Sequence, residues 1–166
     1  MHNIRSHLFL CVVMCILVQT PAHAASVPYF ASIKSKEANV RTGPSSRYPI
    51  QWVYQRKSWP VKVTASFETW RKISDIYGES GWIQQNLLSG KRHVIINTKN
   101  GELQKTYRLP DENSSATQLI ENGVIAELLR CEKEWCQIRI KRNKSWIKAK
   151  ALWGIDPTTD GITPPS

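Results

Sequence analysis

Short runs in which apolar and polar residues alternate make up most of the chain, and this period of two is typical of β-strands. Residues 70–76 alternate in this way, and a further short run follows at 81–83. Turn signals such as Gly43-Pro44-Ser45-Ser46 separate the runs. No segment holds a helical period over several turns. The pattern therefore predicts an all-β protein built from short strands.

The same series of runs occurs twice. Residues 60–88 have a close copy about 65 residues later, in which Trp135 takes the place of Trp70 and Trp146-Ile147 the place of Trp82-Ile83. A repeat of this size indicates one structural unit used twice. We therefore predict two domains, residues 25–90 and 91–155, each a small β-barrel of about five or six strands.

Two connecting segments carry clear local signals. Asn100-Gly101 lies between the apolar runs 94–96 and 103–107, which predicts a β-hairpin at the start of the second copy. Residues 156–166 are rich in Pro and Thr, and we expect this tail to be disordered.

The first 24 residues have the features of a secretory signal peptide. Arg5 precedes an uncharged apolar run at 8–18, and Ala22-His23-Ala24 provides small residues for cleavage after Ala24. An uncleaved membrane anchor is the alternative, but a spanning helix needs about 20 apolar residues. The sequence thus predicts export, with no transmembrane segment in the mature chain.

Cysteine usage agrees with export. The mature chain retains Cys131 and Cys136, in the motif CEKEWC. An oxidising compartment favours a disulfide between them over two free thiols. No metal site is predicted, because two cysteines and the single distant His93 do not supply four ligands.

The chain is strongly basic, with 23 Lys and Arg against 13 Asp and Glu and a net charge of +10. Export makes nucleic acid an unexpected partner. The densest basic run suggests a surface for an acidic envelope protein or lipid, and the alternative is a solvated strand face. The basic side chains of this run are Arg139, Lys141, Arg142, Lys144, Lys148 and Lys150.

The segments VRTGPSSRYP, PVKV, TWRKI and GWIQQNLL resemble the bacterial SH3-like (SH3b) domain, and the second copy resembles it most from Gly123 onward. The resemblance implies two tandem small SH3-like β-barrels. It also implies a small exported protein of Gram-negative bacteria, located in the periplasm or cell envelope. SH3b domains commonly bind peptidoglycan peptides or other envelope components, so the resemblance implies a binding function of this kind.

The resemblance also suggests a ligand groove. Trp70 occupies the family's Trp position and Trp135 repeats it, but Gln84 and Leu87 replace the Pro and Tyr that would indicate a polyproline ligand. Packing is the alternative role for the Trp residues, and Arg41 could instead bind its own loop. Trp82 and Trp146 are expected in the core or between the domains. The candidate groove consists of Arg41, Tyr48, Trp52, Trp70 and Trp135.

No catalytic constellation is evident. His93 is the single histidine of the mature chain, the acidic residues are scattered, and no glycine-rich phosphate loop occurs. We therefore expect neither catalysis nor a cofactor. The sequence predicts a binding module for peptidoglycan peptides or another envelope component. The alternative is a structural or adaptor protein that uses the basic surface, and the sequence leaves the oligomeric state open.

Overall fold

The structure is a computed structural model, and it describes residues 26–98 and 101–162. The predicted signal peptide, residues 1–24, lies outside these residues. Within the part of the chain that the structure describes, no helix is long and apolar enough to cross a membrane.

The described residues form fourteen β-strands in two equivalent series. A 3-10 helical turn, Gln85–Leu87 in the first series and Ala149–Ala151 in the second, precedes the last strand of each. The first series is β1 (Tyr29–Ile33), β2 (Ala38–Arg41), β3 (Ile50–Tyr54), β4 (Pro60–Phe67), β5 (Trp70–Ser74), β6 (Ser80–Gln84) and β7 (Leu88–Ser89). The second series is β8 (His93–Ile96), β9 (Gln104–Tyr107), β10 (Ala116–Ile120), β11 (Ile125–Glu132), β12 (Trp135–Ile140), β13 (Asn143–Lys148) and β14 (Leu152–Trp153).

Each series makes one antiparallel seven-stranded sheet, and the strand order is the same in both. The first sheet has the order β3-β2-β6-β5-β4-β1-β7, and the second has the order β10-β9-β13-β12-β11-β8-β14. The predicted fold class, two tandem SH3-like barrels, is confirmed. The sheets contain seven strands rather than five or six because the two-residue strands β7 and β14 add to them.

Strands β8 and β9, which lie on either side of Asn100-Gly101, do not pair with each other as the predicted hairpin requires. Strand β8 pairs with β11 and β14, whereas β9 pairs with β10 and β13. A local turn signal is weaker than the pairing that buries an apolar face. Here β8 buries Val94 and Ile96 in the second core and Ile95 in the first, and this burial sets its partners.

Alternation along the strands builds a separate apolar core in each barrel. Val63, Ile73 and Ile83 are fully buried in the first, and Ile138 and Ile147 are fully buried in the second. A bulge in the long strand of each series, between Val63 and Ala65 and between Leu128 and Arg130, shifts the register. Bulges of this kind increase strand twist and help a short sheet to close.

The two barrels pack on each other through apolar residues of the second copy. Ile95 is 2% exposed and belongs to the core of the first barrel, and Ile125 and Trp153 pack against the same core. The Trp153 ring meets Phe30 edge-on, with ring centroids 5.2 Å apart. The cores of two small domains are therefore joined, which compensates for the little apolar area each can bury alone.

Residues 156–162 of the tail, for which composition predicts disorder, contact the second copy. The Asp160 carboxylate accepts two hydrogen bonds from the Arg92 guanidinium, at 2.9 and 3.0 Å, and Arg92 also donates to the Gly154 carbonyl at 2.7 Å. Ile162 packs against the second core. A charge-assisted pair and an apolar contact thus hold residues 156–162, although their composition is typical of linkers.

The predicted disulfide is present. Cys131 and Cys136 face each other across the β11–β12 hairpin and are joined by a disulfide. The closed loop is short, so the bond contributes about 2 kcal/mol in the chain-entropy account.

Candidate functional site

The face of the first sheet that points away from its core carries two tryptophans. Ile73 and Ile83 point inward, so Trp70 on β5 and Trp82 on β6 point outward. Trp82 lies beside Arg41 in the strand register, and Trp70 lies beside Gln84. We call Arg41, Trp70, Trp82 and Gln84 the outer face of the first barrel.

These two tryptophans differ in exposure. Trp70 is 7% exposed, whereas Trp82 is half-buried. A cleft of about 480 Å³ adjoins the end of β6 and is lined by Thr69, Gln84, Gln85 and Asn86. The outer face therefore combines an accessible indole surface with a polar cleft that can donate and accept hydrogen bonds.

Arg41 and Tyr48 are brought together by the loop between β2 and β3. The Arg41 guanidinium donates a hydrogen bond to the Tyr48 carbonyl at 2.7 Å. The Tyr48 ring lies over Gly43, where a Cβ atom would come within 2.6 Å of it. Arg41 thus binds its own loop, which is the alternative role that the sequence suggested for it. The Tyr48 side chain is left 47% exposed at the rim.

The structure does not bring Trp52 to this face. Trp52 packs against the first core, meets Tyr54 edge-on at 6.0 Å and lies against Gly81. Trp82, expected in the core or between the domains, lies on the outer face instead. Strand alternation was the signal for this, because Ile83 faces the core and its neighbour Trp82 must face outward.

The second barrel has an equivalent face, but cations cover it. Trp135 meets Tyr107 edge-on with ring centroids 5.4 Å apart, and the Lys148 ammonium lies 4.3 Å from the centre of the Trp135 ring. The Arg130 guanidinium lies 5.1 Å from the ring of Trp146, which is 4% exposed. Cation–π contacts of this length are attractive and exclude other ligands from the ring.

Two carboxylates fix Lys148 over Trp135. Its ammonium lies 2.7 Å from Glu134 and 3.2 Å from Glu112. The hydrogen bond to Glu134, followed by that to Glu112, raises the pKa of Lys148. In the first barrel Gln84 occupies the position of Lys148, and Thr69 that of Glu134. Among the described residues, a cation therefore covers this ring in the second barrel alone, although Trp70 and Trp135 are about equally exposed, at 7% and 6%.

Replacement of Lys148 by Gln, the residue of the first barrel, should destabilise the second barrel without exposing Trp135, because Trp70 is buried beside Gln84 in the first. Loss of the cation–π contact is expected to lower the denaturant concentration at the midpoint of unfolding, as measured by circular dichroism. Lys150→Gln is the matched control, because Lys150 is exposed and contacts no aromatic ring among the described residues. Equal unfolding midpoints of Lys148→Gln and Lys150→Gln would contradict a stabilising role for the contact between Lys148 and Trp135.

The predicted basic surface is divided in the structure. Arg139 donates two hydrogen bonds to Glu127, at 2.6 and 3.0 Å, and these bonds, followed by the one from Lys91, lower the pKa of Glu127. Lys148 is paired as described above. Lys141, Arg142, Lys144 and Lys150 remain exposed.

The remaining polar groups show no catalytic arrangement in the described residues. His93 is half-buried, and its Nδ1 lies 3.0 Å from the Ser32 hydroxyl. Burial lowers the pKa of His93, so the ring is neutral near pH 7. Within residues 26–98 and 101–162, no group of three or more His, Cys, Asp or Glu side chains is placed to hold a metal ion.

Fold and repeat together define a protein made of tandem SH3-like barrels. The profile of the bacterial SH3 domain matches residues 34–90 and again residues 100–154, which together are more than half of the chain. The protein belongs to the bacterial SH3 domain family.

Three of the solved structures that match this chain are distant from it in sequence. An NlpC/P60 family protein from Bacillus cereus is 14% identical, with a TM-score of 0.33, and the match covers 75% of this chain and 55% of that one. NlpC2 from Trichomonas vaginalis is 12% identical, with a TM-score of 0.36, and the match covers 83% of this chain and 52% of that one. NlpC1 from the same organism is 11% identical, with a TM-score of 0.35, and the match covers 84% of this chain and 50% of that one. The chain thus spans about half the length of these structures. No curated protein matches it significantly.

Proposed function

We propose that this chain is a non-catalytic, exported binding module that attaches to peptidoglycan peptides through the outer face of its first barrel. The observation that carries the proposal is the contrast between the barrels. Trp82 is half-buried and has no cation over its ring among the described residues, whereas Arg130 covers the equivalent Trp146. Membership of the bacterial SH3 domain family supports a binding role.

The chemistry of the outer face suits a short peptide that bears carboxylates. The Trp82 indole offers a large apolar platform for aliphatic side chains. Gln84 and Asn86 in the adjoining cleft can bond the amide groups of the peptide. Arg41 uses one nitrogen for the Tyr48 carbonyl, and its other N–H groups are available to a carboxylate.

The proposal includes export. Residues 1–24 serve as a cleaved signal peptide in this account, and the mature domains are residues 25–90 and 91–155. The Cys131–Cys136 disulfide supports an oxidising location such as the periplasm or cell envelope.

Retention on purified peptidoglycan sacculi tests the proposal. Trp82→Ala is expected to lower the affinity about 30-fold, since Trp residues that anchor a ligand typically contribute about 2 kcal/mol or more. Trp70→Phe, which keeps most of the buried ring, should lower it less. Tyr77→Ala is the control, because Tyr77 is 76% exposed and lies on another part of the same barrel. Equal retention of Trp82→Ala and Tyr77→Ala would reject the outer face as the binding site.

The second candidate function is an adaptor that binds an acidic envelope protein or lipid. The exposed Lys141, Arg142 and Lys144 at the β12–β13 turn favour it. A salt titration of the retained protein separates the two functions. Binding through exposed charges weakens steeply as ionic strength rises, whereas binding through an indole surface persists.

A further inference from the structure

A second concave surface lies between the two barrels, away from the outer face. Its volume is about 420 Å³, and residues of both copies line it. Arg56 and Lys57 come from the first barrel, and His93, Glu127, Arg139 and Lys141 come from the second. We call this surface the interdomain cleft.

The charges that line the interdomain cleft are not balanced within the protein. Its one carboxylate, Glu127, is already engaged by Arg139 at 2.6 Å and by Lys91 at 3.2 Å. Arg56, Lys57 and Lys141 form no ion pair with any described residue. Three exposed cations from two barrels thus share one cleft, an arrangement that attracts a multiply charged anion.

One of these cations is held in place before any ligand arrives. The Arg56 guanidinium carbon lies 5.4 Å from the centre of the Trp59 ring. Trp59 is 9% exposed and stacks on Tyr77 at 6.3 Å, so the indole is itself fixed. A guanidinium stacked on an aromatic ring keeps its N–H edge available for two parallel hydrogen bonds to an oxyanion.

The two barrels that carry the lysines are held together beside the cleft. Next to the cleft, the His93 amide donates to the Ser32 hydroxyl at 3.1 Å and the His93 ring contacts the same hydroxyl at 3.0 Å. Ser32 is 1% exposed, so these contacts between the barrels are shielded from water. Lys57 and Lys141 therefore reach the cleft from two surfaces that do not slide freely past each other.

We propose that the interdomain cleft is a phosphate-binding site in which Arg56 holds two phosphate oxygens while Lys57 and Lys141 neutralise the dianion from opposite barrels. A single monovalent carboxylate would leave most of this charge uncompensated, whereas a phosphate group at pH 7 carries nearly two charges and three acceptor oxygens. The site goes beyond the proposed peptide binding and does not depend on it.

Binding of inorganic pyrophosphate, followed by nuclear magnetic resonance at constant ionic strength, tests the site in the unmodified protein. The amide signals of Lys57, Ser58 and Lys141 should shift on titration, and the indole signal of Trp82 should not. The double variant Lys57→Gln/Lys141→Gln is expected to lose about tenfold in affinity for each lysine. Both side chains are exposed, so the fold should be preserved.

A matched control has the same change in net charge. Lys36→Gln/Lys105→Gln removes two exposed lysines that do not line the cleft. An equal loss of affinity in this control would overturn the site, because binding would then depend only on overall charge. Absence of any shift with pyrophosphate, together with no binding to anionic vesicles, would overturn it too.

Vesicle binding, measured as a second experiment, distinguishes the source of the phosphate group. Vesicles of phosphatidylcholine that contain phosphatidic acid, whose phosphate is a monoester, are compared with vesicles of phosphatidylcholine alone. Lysine-dependent binding to the anionic vesicles assigns the site to a lipid headgroup, and lysine-dependent binding to pyrophosphate alone assigns it to a soluble phosphate. Trp82→Ala should bind pyrophosphate and anionic vesicles as the parent protein does. A loss of peptide binding can therefore be distinguished from a loss of phosphate binding in the cleft.

Discussion

Replacing Gly81 with alanine should lower the free energy of unfolding by about 3 kcal/mol. A Cβ atom at Gly81 would lie 2.5 Å from a methyl group of Val40 and 3.2 Å from the Trp52 ring. Val40 is fully buried in the first core and Trp52 packs against it, so neither can move without disturbing other contacts. Overpacking of a closed core typically costs about 1–3 kcal/mol. Chemical denaturation followed by circular dichroism measures the loss.

The equivalent position in the second barrel shows why the loss of stability is expected only for a substitution in the first. Ser145 occupies the position of Gly81 and is 3% exposed, so a Cβ atom is accommodated there. Gln118 takes the place of Trp52 across the sheet, and no indole crosses this position. Gly90→Ala is the control, since a Cβ at Gly90 meets nothing within 4 Å. Similar stabilities of Gly81→Ala and Gly90→Ala would refute the steric account.

Asp75→Ala should cost about 3 kcal/mol of stability. Asp75 is 8% exposed, and its carboxylate accepts hydrogen bonds from the Tyr54 hydroxyl at 3.1 Å and from the backbone N–H groups of Tyr77 and Glu79 at 2.9 and 3.1 Å. Burial, and then the charge of Asp75, raise the pKa of Tyr54, so Tyr54 stays protonated as the donor. Removing the shared acceptor leaves partly buried donors unpaired, which costs about 1–3 kcal/mol for each fully buried group.

A double-mutant cycle checks whether Asp75 acts through these bonds. Tyr54→Phe and Asp75→Ala should show a coupling energy of about 1 kcal/mol, because the two groups are hydrogen-bonded. Glu79→Ala serves as the control, since its exposed side chain is replaced while its backbone N–H is kept. If Asp75→Ala were no more destabilising than Glu79→Ala, the turn at residues 75–79 would not depend on this carboxylate.

Much of the architecture was predictable from the chain itself. Trp70 and Trp135 begin equivalent strands of the two copies. Because the sequence repeats, both sheets have the same strand order. Period-two alternation also predicted strands at the positions of Ile73 and Ile138, which are fully buried. These features depend on local pattern and on burial, the two properties that a sequence expresses directly.

The arrangement of the tryptophans was less predictable. The Trp side chain combines a large apolar ring with a polar N–H group, so its presence in a strand does not show which face it occupies. Trp52 joins the core because Gly81 leaves room for its ring, a match between residues of two strands. Lys148 is held over Trp135 in part by Glu112, which is distant in the chain and folds next to it. Contacts of this kind exist only once the sheet has formed.

Joining the two cores has a consequence for the evolutionary history of the chain. Duplication ordinarily yields two units, either of which can later be lost without harm to the other. Here Ile95 and Trp153 of the second copy complete the packing of the first. Deleting the second copy would therefore remove part of the first core and expose the rest of it to water. A stable single barrel would not result from one deletion, and compensating substitutions would have to come first.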